Sequence, residues 1–228
     1  MEKKSLRGIR ACVFDAYGTL FDVNSATAPC LRELGEKADA LNRLWREKQL
    51  QYSWLRACQG KHADFWQVTG DALDFALRSL GIGNDELRRR LMQSYLALGA
   101  YPEVPETLAQ LKRRGFTLAI LSNGTPKMLQ SAVENAKLNS LLDAVFSVEK
   151  AGVYKPDPRV YRLAADGLAI APNQICFVSS NAWDAYAASA FGMFVIWCNR
   201  AGQQEENLPG KPDIALPSLE EMPDRVEP

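Results

Sequence analysis

Hydrophobic and polar positions follow two different periods that alternate along most of the chain. Short apolar runs, bounded by Gly, Pro, Asn or Asp, predict strands. These runs cover residues 8–16, 117–123, 143–148, 174–180 and 193–198. Most contain a continuous apolar stretch, such as ACVF, LAIL, ICFV and MFVIWC, as expected of strands that are covered on both faces.

Amphipathic segments follow most of these strands and predict helices. They cover residues 104–115, 125–136, 157–168 and 182–192. Repeated alternation of strand and helix is typical of a parallel sheet covered by helices, so the sequence predicts an α/β fold. The tail from residue 201 adds a last short strand and helix in PDIALPSLEEM.

The segment between the first two strands breaks this alternation. It predicts helices at 40–58, 63–80 and 84–98, and no strand. The first helix carries two stripes at helical spacing. One stripe consists of Leu41, Leu44, Trp45, Tyr52 and Leu55, and the other of Arg46, Leu50 and Trp54. Two stripes predict a helix that packs on one side and faces another surface on the other. We therefore expect a helical cap subdomain at 21–99, inserted into a core formed by 1–20 and 100–228.

Composition narrows the classes of function. The 228 residues balance 27 basic against 27 acidic side chains, so net charge gives no reason to expect nucleic acid or an anionic membrane as a partner. No apolar run approaches the ~20 residues of a membrane span, and the N-terminus lacks the hydrophobic stretch of a signal peptide. Cys12 and Cys176 lie in predicted strands, where buried, reduced thiols are expected. We expect a cytoplasmic protein.

Polar residues follow three of the predicted strands at the edge where parallel sheets bind ligands. Asp15 ends the first strand, residues 122–124 (Ser-Asn-Gly) end the second, and residues 179–181 (Ser-Ser-Asn) end a later one, with Asp184 just beyond. Lys155 lies in the loop VYKPDPRVY. Each feature alone fits a turn or a helix cap. Together, in this order, they indicate a functional site.

Catalysis by a Ser-His or Cys-His pair finds no support. His62 is the only histidine, and the chain contains no Gly-x-Ser-x-Gly motif. We expect His62 to be an exposed, structural residue at the entry to a cap helix. Cys30 and Cys58 have no basic partner nearby in sequence, and we expect the same of them.

Five segments together resemble one family over roughly residues 8–220: FDAYGTLFDV, WREKQLQYSWLR, ILSNG, YKPDPRVY and FVSSNAWDA. They are similar to the L-2-haloacid dehalogenases (type II, or (S)-2-haloacid dehalogenases) of the haloacid dehalogenase (HAD) superfamily. The resemblance implies a HAD-like Rossmannoid core with an inserted helical cap. It also implies a small 2-haloacid substrate, a halide product, no metal or cofactor, and a homodimer.

Two departures distinguish the chain from the phosphatases of this superfamily. Tyr17 stands two residues after Asp15, where phosphatases carry an aspartate that protonates the leaving alcohol. Residues 179–181 read SSN where a Gly-Asp pair is usual. Magnesium requires hard oxygen ligands, and two carboxylates are therefore missing. A halide leaves as a weakly basic anion and needs no general acid.

The resemblance implies covalent catalysis with inversion. The Asp15 carboxylate attacks Cα of an L-2-haloalkanoic acid and forms an ester. Water then hydrolyses the ester and releases a D-2-hydroxyalkanoic acid. Lys155 would hold Asp15 ionised, and Arg46 with Asn123 would cradle the departing halide.

The other site residues have supporting roles in this scheme. The carboxylate of the substrate would bind Ser122 and backbone amides after Asp15, beginning at Ala16. Four residues would orient Asp15 and the hydrolytic water: Thr19, Ser179, Asn181 and Asp184. Asp184 is the better candidate for the base, and Tyr161 would hydrogen-bond within this network. An apolar pocket would be formed by Tyr17, Leu50, Phe65 and Trp183, for which ordinary core packing is the alternative. Glu47 beside Arg46 could weaken anion capture or shift the halide preference. It could equally point away from the site, because adjacent helix residues do not share a face.

Two other hypotheses compete with dehalogenation. The same Asp15 nucleophile could open another electrophilic carbon, such as that of a strained-ring amino acid. A non-catalytic relative or a residual HAD phosphatase is the second, and the intact set of Asp15, Arg46, Lys155 and Asp184 speaks against it.

Overall fold

A six-stranded parallel sheet forms the centre of the computed structural model, which describes residues 4–228. Residues 1–3 of the predicted core segment 1–20 lie outside the described residues. The strands are β1 (Ala11–Phe14), β2 (Thr117–Ser122), β3 (Ala144–Ser147), β4 (Ile175–Ser179), β5 (Phe194–Cys198) and β6 (Ile214–Leu216). Their order across the sheet is β3-β2-β1-β4-β5-β6, which confirms the predicted α/β class.

The register of the sheet brings the predicted polar residues to one edge. β1 lies between β2 and β4 and is buried at all four positions. Phe14 pairs with Ile120 on one side and with Val178 on the other. The carboxyl ends of β1, β2 and β4 therefore lie side by side at one edge of the sheet.

Helices cover the sheet and form the insertion. They are α1 (Leu31–Leu34), α2 (Ala38–Gln59), α3 (Phe65–Ser79), α4 (Asp85–Leu96), α5 (Val104–Arg113), α6 (Pro126–Asn135), α7 (Pro158–Leu168) and α8 (Ala182–Phe191). Local sequence sets several of their ends. Asp64 caps α3 by accepting from Gln67 N–H at 2.8 Å, and Gly60 ends α2 in the left-handed conformation.

The helices α1–α4 all lie between β1 and β2 in sequence, as the cap prediction requires. α2 packs against α3, and Trp45 Nε1 donates to the Thr69 carbonyl at 2.9 Å. Leu55 departs from the predicted stripe: it is 48% exposed and belongs to the solvent face of α2, so the packed stripe ends at Tyr52.

The chain passes between the sheet and the insertion through two paired segments. Phe21 and Ala100 form an antiparallel bridge. Asp22 N–H donates to the Gly99 carbonyl at 2.9 Å, and Tyr101 N–H donates to the Leu20 carbonyl at 3.0 Å. The outgoing and returning chains thus run side by side. The division into core and cap domains at these points stays a prediction.

The cysteines and the histidine match the sequence analysis with one exception. Cys12 and Cys176 are buried free thiols, Cys58 is exposed, and His62 is exposed with Nε2 2.9 Å from Glu149 Oε2. Cys30 was expected to be exposed, and this is wrong. It lies in the 3-10 turn before α1 and is only 2% exposed; this burial raises the pKa of its thiol.

Over residues 4–228, the helices lack the combination of length and hydrophobicity that a membrane crossing needs.

Candidate active site

Asp15 directly follows β1 and is 6% exposed. Its backbone N–H donates to the Val178 carbonyl at 2.8 Å, which extends the sheet by one residue and fixes the main chain. Immediately afterwards the chain turns tightly, and the N–H groups of Thr19, Leu20 and Phe21 all point to the Ala16 carbonyl. The Asp15 carboxylate is therefore presented beyond the end of the sheet by a rigid support.

Two neutral donors hold one oxygen of this carboxylate. Asp15 Oδ2 accepts from Asn181 Nδ2 at 2.8 Å and from Thr19 Oγ1 at 3.2 Å. Thr19 Oγ1 in turn accepts from the Ser180 N–H at 2.8 Å. The orientation of Thr19 is thus fixed by the loop that follows β4.

Lys155 supplies a buried positive charge to the other oxygen. Its Nζ lies 3.0 Å from Asp15 Oδ1 and 2.8 Å from Asp184 Oδ2, and the side chain is 1% exposed. Burial opposes the charged form, but the two carboxylates outweigh it and raise the pKa of Lys155. The backbone N–H of Lys155 donates to Asn123 Oδ1 at 3.2 Å, which anchors the loop.

Asp184 completes this chain of charges from the first turn of α8. It is fully buried, and burial together with repulsion from Asp15 raises its pKa, while Lys155 acts in the opposite direction. Tyr161 O–H donates to Asp184 Oδ1 at 2.7 Å. Burial, followed by the charge of Asp184, raises the pKa of Tyr161 and keeps it a donor.

Arg46 reaches this group from α2 in the insertion. Its Nη2 donates to Asn181 Oδ1 at 3.2 Å and to the Tyr17 carbonyl at 3.3 Å. The second stripe of α2 therefore faces the end of the sheet, as predicted. Glu47 is exposed, so water screens its charge from the site.

The residues that hold Arg46 were not predicted from the sequence. Gln49 is 1% exposed and accepts from Arg46 Nη1 at 2.8 Å through Oε1. Its Nε2 donates to Thr69 Oγ1 at 2.7 Å and to Tyr95 Oη at 3.1 Å. The i,i+3 spacing from Arg46 was a signal for Gln49. Nothing local pointed to Tyr95, which comes from α4.

Two of the predicted pocket residues form one aromatic cluster. Tyr17 stacks on Tyr95 with centroids 5.5 Å apart and tilts against Phe65 at 5.9 Å. The Tyr17 hydroxyl is buried without a hydrogen-bond partner, and burial raises its pKa well above the ordinary value. Trp183 instead meets Trp54 edge-on at 5.3 Å.

Four of the other predicted site residues are placed less directly. Leu50 is half-buried on α2, on the same stripe as Arg46. Ser122 Oγ accepts from Gly124 N–H at 3.2 Å and Ser179 Oγ accepts from Asn181 N–H at 3.1 Å, so both hydroxyls shape their own loops. Arg46 is predicted to cradle the halide with Asn123, and this pairing stays a prediction. In the structure Arg46 Nη2 donates to Asn181 Oδ1, and Asn123 Oδ1 accepts from the Lys155 N–H.

The donors around the carboxylates do not fit magnesium. Both oxygens of Asp15 and both of Asp184 accept from N–H or O–H groups, and the Lys155 ammonium lies where a cation between the two carboxylates would bind. Over residues 4–228, no group of three or more His, Cys, Asp or Glu side chains is arranged to hold a metal ion.

Comparisons with known proteins agree with this geometry. The model of the haloacid dehalogenase-like hydrolases matches residues 9–192. (S)-2-haloacid dehalogenase 1 of Pseudomonas sp. (strain CBS-3) is 49% identical, over 94% of this chain and 95% of the relative. (S)-2-haloacid dehalogenase 4A of Burkholderia cepacia is 50% identical, over 87% and 86%. The L-2-haloacid dehalogenase of Xanthobacter autotrophicus, solved with chloropropionic acid covalently bound, superposes with a TM-score of 0.89 at 38% identity, over 95% and 97%.

Proposed function

Because this chain belongs to the haloacid dehalogenase-like hydrolase family, we propose that it hydrolyses L-2-haloalkanoic acids to D-2-hydroxyalkanoic acids through an ester on Asp15. The observation that carries the proposal is the buried carboxylate of Asp15, which contacts Lys155, Asn181 and Thr19 beneath Arg46 of the insertion. The relatives named above are (S)-2-haloacid dehalogenases, and one solved structure holds a covalently bound chloropropionic acid.

The first step is attack by Asp15 Oδ1 on Cα of the substrate. This oxygen accepts from one donor, Lys155, whereas Oδ2 accepts from two. Oδ1 therefore keeps more lone-pair capacity for attack. The new C–O bond forms as the C–halogen bond breaks on the opposite side of Cα, which inverts that carbon.

The departing halide carries away the electron pair of the broken bond. Arg46 is the cation that the insertion contributes to the site, and its guanidinium is permanently charged and only weakly hydrated. Ser122 and the backbone amides after Asp15 hold the substrate carboxylate. Tyr17 and Phe65 exclude water around the alkyl group, and Leu50 and Trp183 extend this apolar lining.

The second step is attack by water on the Asp15 carboxyl carbon. Alkylation of Oδ1 leaves Oδ2 as the carbonyl oxygen of the ester, and negative charge develops there in the tetrahedral intermediate. Asn181 Nδ2 and Thr19 Oγ1 already point at this oxygen, so they act as an oxyanion hole. Asp184 accepts one proton of the attacking water. Collapse of the intermediate breaks the bond between the Asp15 carboxyl carbon and Oδ1, and the hydroxy acid leaves with Oδ1 and with the proton returned by Asp184. The Cα–Oδ1 bond stays intact, so the new stereocentre is kept, and Asp15 becomes a carboxylate again when its remaining proton is lost to solvent.

Halide release from L- and D-2-chloropropionate, with excess EDTA present, tests the proposal. We expect chloride from the L enantiomer only, and none from an Asp15→Asn variant whose circular dichroism matches the wild type. Chloride from both enantiomers, or steady turnover by Asp15→Asn, would refute this assignment. Loss of activity in EDTA would refute metal independence, which belongs to the same proposal.

A single turnover in heavy-oxygen water tests the ester. Water attack on the carboxyl carbon places the label in Asp15 first, and a product formed in the first turnover then contains only unlabelled oxygen from Asp15. Mass spectrometry of the peptide that contains residue 15 measures this. Label found directly in the first product would show that water attacks Cα instead.

We also propose that the protein is a homodimer, as the resemblance implies, and that it is cytoplasmic, as its buried free thiols suggest. Light scattering during size-exclusion chromatography measures the mass. A mass of one chain, about 25 kDa, would contradict the dimer.

A further inference from the structure

Arg200 contacts both segments through which the chain passes between the sheet and the insertion. It follows β5 by two residues, and none of the roles described above involves it. Its Nη2 donates to the carbonyl of Thr19 at 2.9 Å, on the outgoing segment. Its Nη1 lies 2.6 Å from Glu103 Oε1, on the returning segment. One planar guanidinium therefore joins two parts of the chain that are 84 residues apart.

These contacts are sheltered from solvent. The side chain of Arg200 is 18% exposed and that of Glu103 is 11% exposed. The guanidinium carbon also lies 3.7 Å from the ring centroid of Tyr101, as in a cation–π contact. Arg200 Nη1 and Glu103 Oε1 are close, but their alignment does not make a hydrogen bond, and Glu103 Oε1 has no hydrogen-bond partner. The main link between Arg200 and Glu103 is therefore charge attraction, which is strong where little water screens the two groups.

The outgoing segment is the one that controls the nucleophile. Arg200 donates to the carbonyl of Thr19, and the hydroxyl of Thr19 donates to Asp15 Oδ2 at 3.2 Å. A change in the main chain at Thr19 moves that hydroxyl. In the proposed second step this hydroxyl is half of the oxyanion hole, where a misplacement of about 1 Å costs up to roughly a hundredfold in rate.

The returning segment controls the insertion. Tyr101 N–H donates to the Leu20 carbonyl, and Val104 begins α5 directly after Glu103. Holding Glu103 near Thr19 therefore keeps together the two ends from which the insertion, with Arg46, extends.

We propose that Arg200 is a positioning residue for the dehalogenation, clamping Thr19 and Glu103 together so that the Thr19 hydroxyl and Arg46 are aligned on Asp15. This inference rests on the proposed function. Arg200 lies behind the site and acts through Thr19, so its loss lowers kcat more than it raises KM.

Arg225 offers a matched control. Its side chain is 13% exposed, it forms an ion pair with Glu221 at 2.7 Å, and it donates to the Lys4 carbonyl at 3.3 Å. It thus resembles Arg200 in burial and in contacts, but it belongs to the 3-10 turn near the C-terminus. A generic effect of removing a buried arginine appears equally in both variants.

Steady-state chloride release from L-2-chloropropionate by Arg200→Met, Arg200→Lys and Arg225→Met tests the proposal. We expect kcat of Arg200→Met to fall roughly tenfold to a hundredfold with little change in KM. Arg200→Lys should recover part of kcat, because lysine keeps the charge but not the planar fork. Arg225→Met should keep the wild-type kcat. Equal kcat in Arg200→Met and Arg225→Met would overturn the proposal.

Hydrogen exchange of the same proteins without substrate gives a readout that does not depend on activity. Residues 15–22 and 99–104 should exchange faster in Arg200→Met than in the wild type, and at the wild-type rate in Arg225→Met. No chloride from the wild type would refute the proposed function, and exchange alone then judges the clamp. Faster exchange at both segments supports it, and unchanged exchange overturns it. Arg200→Lys takes the place of Arg200→Met if the latter does not fold.

Discussion

At the scale of single residues, Lys155 is the centre of the charge arrangement. It is one ammonium between two carboxylates, so the buried triad carries a net charge of −1 when all three groups are ionised. A buried ion pair that loses one partner leaves the other uncompensated, at a cost of about 3–5 kcal/mol. Lys155 therefore supports the fold and the chemistry together.

The pH dependence of the rate follows from the pKa of Lys155, which is raised in the folded protein. For lysine, the pKa in the unfolded chain is ~10.4. Because the pKa of Lys155 is higher in the folded protein, the stability that its charge contributes is complete below pH ~10.4 and is lost as the pH rises through the folded pKa. We expect the alkaline limb of kcat for chloride release to lie above pH ~10.4. Circular dichroism at each pH separates titration from unfolding. An inflection well below that value, with the fold intact, would show that another group controls the limb.

At the scale of elements, α2 links the insertion to the chemistry. One face of α2 packs on α3 through Trp45. Another face presents Arg46 to Asn181, which follows β4 in the sheet. Gln49, on the turn after Arg46, holds the guanidinium from behind. The direction of Arg46 is therefore built into the helix before any substrate arrives.

Replacement of Arg46 tests this reading of α2. We expect Arg46→Ala to lower the rate of halide release roughly a hundredfold or more, the usual cost of removing one donor that faces developing negative charge. Glu47→Gln, on the same turn but exposed, should leave the rate close to the wild-type value. Stopped-flow chloride detection measures both variants. Similar losses in the two variants would point to the helix as a whole rather than to the guanidinium.

How far the sequence predicts these elements depends on the range of the interactions. The helix predicted at 182–192 is found at Ala182–Phe191, because its boundaries are set by local periodicity and by Gly192. The cluster of Asp15, Asn181 and Asp184 was also predictable, since parallel strands end at a common edge. The pairings of Gln49 with Tyr95 and of Arg200 with Glu103 were not, because they depend on how separate elements pack.

At the scale of the whole molecule, a second junction joins the insertion to the sheet on the side of Lys155. Tyr154 O–H donates to the Ala63 carbonyl, and the ring of Tyr154 is fully buried. Glu149 accepts from the Phe65 N–H at 3.3 Å and lies 2.9 Å from His62 Nε2. Three contacts thus attach the loop before α3 to the segment that leads into Lys155.

Tyr154→Phe removes one of these contacts without changing the shape of the ring. We expect the free energy of unfolding to fall by about 1 kcal/mol, the usual net value of such a hydrogen bond. Tyr52→Phe is the control, because Tyr52 packs edge-on against Phe75 within the insertion and not at the junction. Urea denaturation measures both. A loss no larger in Tyr154→Phe than in Tyr52→Phe would mean that the junction adds nothing to stability.

The bridge between Phe21 and Ala100 has a consequence for the history and the engineering of this protein. A segment whose two ends lie side by side can be exchanged as a cassette, since the host needs to provide only two adjacent attachment points. Recombination between relatives at these two positions would exchange the insertion, with its counterpart of Arg46, while Asp15, Lys155 and Asp184 stay unchanged. The same two positions are where a chimeric library should be cut.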